Sequence, residues 1–191
     1  MEPDQFYIVG NNLALDFINT APHELSAEVL ASWGTAVGLV EPSAAGHLAQ
    51  RWVDTDLKEV AAFREHLRDV VAKLVISRSV SVKDIEWLNA ILRVKAGYSE
   101  LVVTPEGFVK QNRIELKRAL DVREPIVEAF VDLITFGNLD YIRKCERPDC
   151  ILYFYDTTKN HRRRWCSMSI CGNRAKVAKF YEKQRSKTSS E

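Results

Sequence analysis

Four cysteines in the last fifty residues constrain this chain more than any other feature of its sequence. They stand at Cys145, Cys150, Cys166 and Cys171, two close pairs with four residues inside each pair and fifteen between the pairs. Each pair can close a tight loop that presents two thiolates, and the segment between them can bring the chain back to the same point. Tetrahedral zinc takes this arrangement. About fifty residues rarely bury a core of their own, so a metal or disulfides must stand in for one. The compartment decides which. Met1-Glu2-Pro3-Asp4-Gln5 leads into no apolar signal segment, and no run approaches the ~20 apolar residues of a membrane span. We therefore expect a cytoplasmic chain with no membrane partner and with reduced thiols, and one structural Zn2+ rather than two disulfides or four free thiols. Four thiolates fill the shell and leave no open position for catalysis. The four-residue gaps are wider than the two-residue knuckles of an ordinary zinc ribbon.

Charge divides the chain at the same place. Its 27 basic and 26 acidic side chains give a formal net charge of +1, a total that suggests no nucleic-acid partner. Residues 1–140, however, carry a net −7 and residues 141–191 a net +8. A split of this kind points to an acidic body with a basic functional module. Arg162, Arg163 and Arg164 crowd together just before Trp165 and the third cysteine. Beyond the fourth cysteine, helical spacing over 172–185 sets Val177, Phe180, Tyr181 and Gln184 on one side and Lys176, Lys179 and Lys183 on another. A basic-faced helix anchored on zinc suits a nucleic-acid groove, with the arginines and lysines meeting phosphates. Asn173 and Arg174 are the candidates for base edges, with helix capping or a clamp on the arginine loop as the alternative. A solvated basic loop, self-masking by the acidic body, a protein partner, and RNA stacked on Tyr153, Phe154, Tyr155 and Trp165 are the other readings of this surface.

The body reads as mostly helical. Leu57, Val60, Phe63, Arg64, Leu67, Val70, Val71 and Leu74 recur at three and four and predict its longest helix. A second helix follows from a Ser81 cap, and a shorter pair lies around Glu28–Leu39 and Ser43–Trp52. The runs Glu100–Thr104 and Gly107–Gln111, joined by Pro105-Glu106, predict a hairpin. A last stripe from Leu116 to Ile134 contains Pro125, as a kink or a fresh start, and Gly137-Asn138 ends it. The expected fold is thus α+β: a predominantly α-helical N-terminal domain with a small β-hairpin over 1–140, then a four-cysteine zinc module over 141–191. Asp16, Asn19 and Thr20 are polar positions in an apolar segment. They are candidates for lining a small-molecule effector pocket, against the alternative that they cap helices and satisfy buried backbone. A homodimer is compatible with a helix–hairpin–helix body, although no heptad seam marks one.

Cys171-Gly172-Asn173-Arg174, together with Arg164-Trp165-Cys166-Ser167-Met168, the aromatic-Asp run after Cys150, and Lys176, resembles the CGNR-type zinc-finger proteins. Leu13-Ala14-Leu15-Asp16-Phe17-Ile18-Asn19-Thr20 is similar to the start of that family's companion domain, ABATE. The resemblance implies a bacterial, stress-linked transcription regulator that binds DNA through its C-terminal module, and it implies no particular ligand for the body. No His-Glu-x-x-His pair, phosphate-binding glycine loop or nucleophile elbow occurs, and the four histidines are scattered, so we do not expect an enzyme.

Overall fold

The computed structural model describes residues 6–188; the side chains of Asn112, Lys179, Glu182, Lys183 and residues 185–188 lie outside the described part. The chain enters extended, turns at Gly10-Asn11-Asn12 and begins α1 (Leu13–Ile18), where the Asn12 side chain caps the helix by accepting the Ala14 N–H at 3.0 Å. Six residues do not hold a helix in water. Burial of Ala14, Leu15, Phe17 and Ile18 holds this one. Next come α2 (Ala27–Ala36), capped by Ser26, and α3 (Pro42–Arg51), which opens on a proline whose fixed φ suits a first helical position. The predicted long stripe becomes α4 (Asp54–Ser77), and every residue named for it is buried. Ser81 caps α5 (Val82–Leu92) by accepting the Asp84 N–H at 3.1 Å.

The hairpin is longer than its β-leaning runs suggested. It consists of β1 (Gly97–Thr104) and β2 (Gly107–Ile114), antiparallel and in register over all eight pairs, with Gly107 at φ +130° after the turn. The stripe from Leu116 is broken by a 3-10 turn at Ala119–Val122, so that α6 (Arg123–Phe136) starts afresh with Pro125 in its first turn, where the missing N–H has no helical acceptor to abandon. Then β3 (Ile142–Lys144) pairs antiparallel with β4 (Tyr153–Tyr155), and a π-type turn at Met168–Gly172 leads into α7 (Asn173–Thr188). The architecture is the expected α+β one. No described helix is long and apolar enough to cross a membrane.

Two cores result. The larger gathers the buried face of α4 around α1, where Phe17 lies 5.1 Å from Trp33 and 5.6 Å from Phe63 between ring centroids. The smaller holds the four cysteines with Leu152 and Phe154. Alternation along β4 divides the side chains between them: Phe154 enters the cysteine core while Tyr153 enters the helical one. Ile142 also enters the helical core, and Tyr7 and Val9 from the chain's entry pack on the cysteine core. Packing thus crosses residue 140 in both directions, although charge divides there.

Candidate metal centre and basic surface

The four cysteines come together through two different loops. Cys145 leaves β3 with its N–H bonded to Leu152 O at 2.9 Å, and Cys150 closes the first knuckle on Arg147 O at 3.0 Å. The second pair closes on the π-type turn: the N–H groups of Cys171 and Gly172 both reach Ser167 O at 3.0 Å. This turn is a residue wider than an α-turn, which accounts for the long spacing of the second pair. A Cβ at Gly172 would lie 2.6 Å from the Met168 sulfur, so that the Met168 side chain, which now lies against Gly172, would have to shift.

All four Sγ atoms are buried and lie within 4.8 Å of one another, with Cys150 to Cys166 at 3.8 Å and Cys166 to Cys171 at 3.4 Å. Tetrahedral zinc with Zn–S near 2.3 Å has S···S edges of about 3.8 Å. The cluster is therefore positioned to hold one metal ion, and its donors are those zinc prefers. Burial pushes the Cys150 thiol up to about 11 and that of Cys166 higher still. Cys145 goes the other way: burial raises it, but the N–H groups of Arg147 and Cys166 and hydrogen bonds from the Cys150 and Cys166 thiols together outweigh that burial. Four thiolates in so small a space call for a cation among them.

The arginine run divides by role. Arg163 points inward. Its Nε donates to Trp165 O at 3.0 Å, its Nη2 to Val9 O at 3.0 Å and to Cys166 O, and its guanidinium lies 4.3 Å from the centroid of the Phe154 ring. Arg164 pairs with Glu146 at 2.6 Å and lies over Trp165. Arg162 is exposed, as are Asn173, Arg174 and Lys176. The side chains of Lys179 and Lys183 lie outside the described residues.

A fully buried carboxylate shapes the loop that carries the run. Asp156 accepts the Thr158 N–H at 3.0 Å, the Thr158 hydroxyl at 2.6 Å and the Arg163 N–H at 2.7 Å, while Arg143 approaches at 3.7 Å. These donors outweigh its burial and hold the carboxyl below the ordinary aspartate value. Arg143 also donates to His161 O at 2.8 Å. A groove of about 850 Å³ runs along the loop, lined by Ile8, Val9, Lys159, Arg162 and Met168 among others. A second cleft of about 680 Å³ at the foot of α7 lies between Arg147, Asp149 and Arg174, and Trp165 borders both. Sequence reasoning missed Arg147 and Lys159. Arg147 reads as a spacer inside the first knuckle, and its only signal was its charge.

Asp16, Asn19 and Thr20 were candidates for an effector pocket, and the structure uses them at the joint between the two cores. Asp16 accepts the Gly10 N–H at 2.7 Å; burial raises its carboxyl to about 6, with the Gly10 and Val9 N–H groups and Arg163 pulling it back. Asn19 pairs with both backbone groups of Tyr153, each at 2.9 Å. Thr20 donates to Phe17 O at 2.7 Å and accepts from the buried Arg64 at 3.2 Å. None of the three lines a cavity described above; the bonds of Asp16 and Asn19 and that of Thr20 to Phe17 O satisfy buried backbone, and the bond from Arg64 ties Thr20 to α4. The aromatic set considered for RNA stacking is similarly engaged: Tyr153 and Phe154 are buried, Tyr155 accepts the Asn138 N–H at 3.1 Å, and Arg164 covers Trp165.

No curated protein matches the chain. The model described as the CGNR zinc finger matches residues 141–184. The ABATE model, described as "Putative stress-induced transcription regulator", matches residues 11–137. The helical body with its α1 joint and the four-cysteine module thus correspond to two successive family matches, and the chain belongs to the ABATE family and carries a C-terminal CGNR zinc finger.

Proposed function

We propose that the chain is a DNA-binding transcription regulator whose C-terminal module, held by one structural zinc ion on Cys145, Cys150, Cys166 and Cys171, meets phosphates through Arg162, Arg174 and Lys176. One observation carries this reading. The exposed cations share the metal module, and among the described ion pairs none joins them to an acidic residue of the body. Lys159 and Arg147 border the same two grooves, and Lys179 and Lys183 continue the basic sequence along α7. Asn173, exposed at the start of α7, is the residue we assign to a base edge, where Asn pairs with adenine.

Duplex DNA is favoured over stacked single-stranded RNA because Tyr153 and Phe154 are buried, Tyr155 is held by the Asn138 N–H, and the Arg164 guanidinium lies over Trp165. We assign the chain no catalytic role and expect it in the cytoplasm. For a small-molecule effector, the better place in the body is the cavity of about 750 Å³ between α2, α3 and α4, where Leu25, Trp52 and Leu57 meet Glu24, Asp54 and Lys58.

The test is a fluorescence-anisotropy titration of the full, metal-loaded chain against duplex DNA over a range of salt. About five phosphate contacts predict a slope of log affinity on log salt of roughly −4 to −5. Absence of binding at low salt would reject the proposal.

A further inference from the structure

The hairpin takes no part in either core or in the surface proposed for DNA. No described side chain from Gly97 to Ile114 belongs to the buried core or to the side chains packed against it. A two-stranded hairpin is marginal in water, and three or more strands are needed for a sheet to stand by itself. Here each strand has eight residues, and among the described residues no third strand adjoins either edge. Exposed edges of this length are templates for pairing.

The register shows which groups are unpaired. Ala96 O accepts the Glu115 N–H, so Ala96 and Glu115 form a hydrogen-bonded pair and positions 98, 100, 102 and 104 also turn their backbone groups toward β2. Leu101 and Val103 therefore turn theirs outward, and on β2 Phe108 and Lys110 do the same. Side chains follow the same alternation. Leu101, Val103 and Phe108 share one face and are 71%, 73% and 75% exposed.

We infer that the β1 edge pairs antiparallel with the β1 edge of a second copy of this chain about a two-fold axis, giving a four-stranded sheet in the order β2-β1-β1-β2. Charge selects this edge. Glu100 is the only charged residue of β1, and Arg113 of the same hairpin neutralises it. Pairing of β2 with itself would bring Lys110 of both copies, which no described ion pair neutralises, onto one seam, and like charges on neighbouring strands oppose pairing. The β1 arrangement is also self-complementary. Outward-turned residues pair with outward-turned residues, so Leu101 and Val103 of both copies fall on one face and cover each other.

Sedimentation of the full, metal-loaded chain over a range of concentrations tests this, with two proline variants. Proline is tolerated at an edge position whose N–H points away from the sheet, so Leu101→Pro blocks the β1 edge and Lys110→Pro blocks only the β2 edge. The wild type and Lys110→Pro are expected to sediment at twice the 21.8 kDa chain mass. Leu101→Pro is expected to be monomeric, with association weakened by about a hundredfold or more, and to keep its helical circular dichroism and metal content. A wild type that stays monomeric, a dimer that survives Leu101→Pro, a dimer lost in Lys110→Pro alone, or open-ended assembly through both edges would each overturn the inference. Because the readout is mass, it stands or fails apart from DNA binding.

Discussion

The side-chain amide of Asn19 pairs with the backbone of Tyr153 in both directions, donating to its carbonyl and accepting from its N–H at 2.9 Å each. A primary amide offers the same donor and acceptor as a peptide group, so Asn19 acts toward β4 as the neighbouring strand would. Asn19→Ala leaves two buried backbone groups unpaired, and a cost of about 2–4 kcal/mol in unfolding free energy is expected. Denaturant titration with metal bound checks it; a variant as stable as the wild type would show that the joint does not depend on this pair.

Arg163 is expected to act on metal retention and not on DNA. Its planar fork serves three carbonyls, of Val9, Trp165 and Cys166, which the single ammonium of lysine cannot match. Groups that fix a ligand's orientation typically change metal affinity by about 10–100-fold when altered. In chelator competition, Arg163→Lys should lose metal at least tenfold more readily. Its salt slope for DNA should stay that of the wild type once metal is saturating. Unchanged metal affinity would show that the fork of Arg163 does not hold the metal loop.

Asp16 gives a pH dependence opposite to the usual one for a carboxylate. Its folded value of about 6 lies above the ordinary 3.8, so the native state holds the proton more tightly than the unfolded chain. Stability from this group is greatest below its unfolded value, falls as pH rises toward about 6 and is flat beyond. By linkage the full fall is about 3 kcal/mol. Asp56 and Asp156, both held below the ordinary value, act in the other sense: their contribution is present above it and is lost as pH falls. The difference between wild type and Asp16→Asn isolates the first effect, since asparagine can still accept the Gly10 N–H. Unfolding free energies that track each other across this window would remove Asp16 as its source.

Periodicity exposed the helices because burial on one face of α4 is written in residues three and four apart, and Ser81 marks its helix start by the bond it makes. The metal cluster was equally legible, since two loops of matched spacing leave four thiols few places to go. The division of the arginine run was not. Arg162, Arg163 and Arg164 are chemically identical in sequence, and what separates them is the Asp156 turn and the extended entry segment at Val9, which arrives from about 150 residues away. For the same reason Asp16 and Asn19 resembled pocket residues: their partners, Gly10 and Tyr153, become neighbours only when β4 docks against α1. The hairpin was predicted from its turn, but no pattern within it reveals that neither face meets the core.

The proposed function requires metal to hold the module so that its outward cations, and not its inward ones, meet DNA. The measurement that tests it most directly is the anisotropy salt titration repeated on the metal-loaded Arg162→Ala/Arg174→Ala variant. Loss of two phosphate contacts predicts a slope shallower by about two, with metal content and unfolding free energy unchanged. A slope equal to that of the wild type would contradict the account.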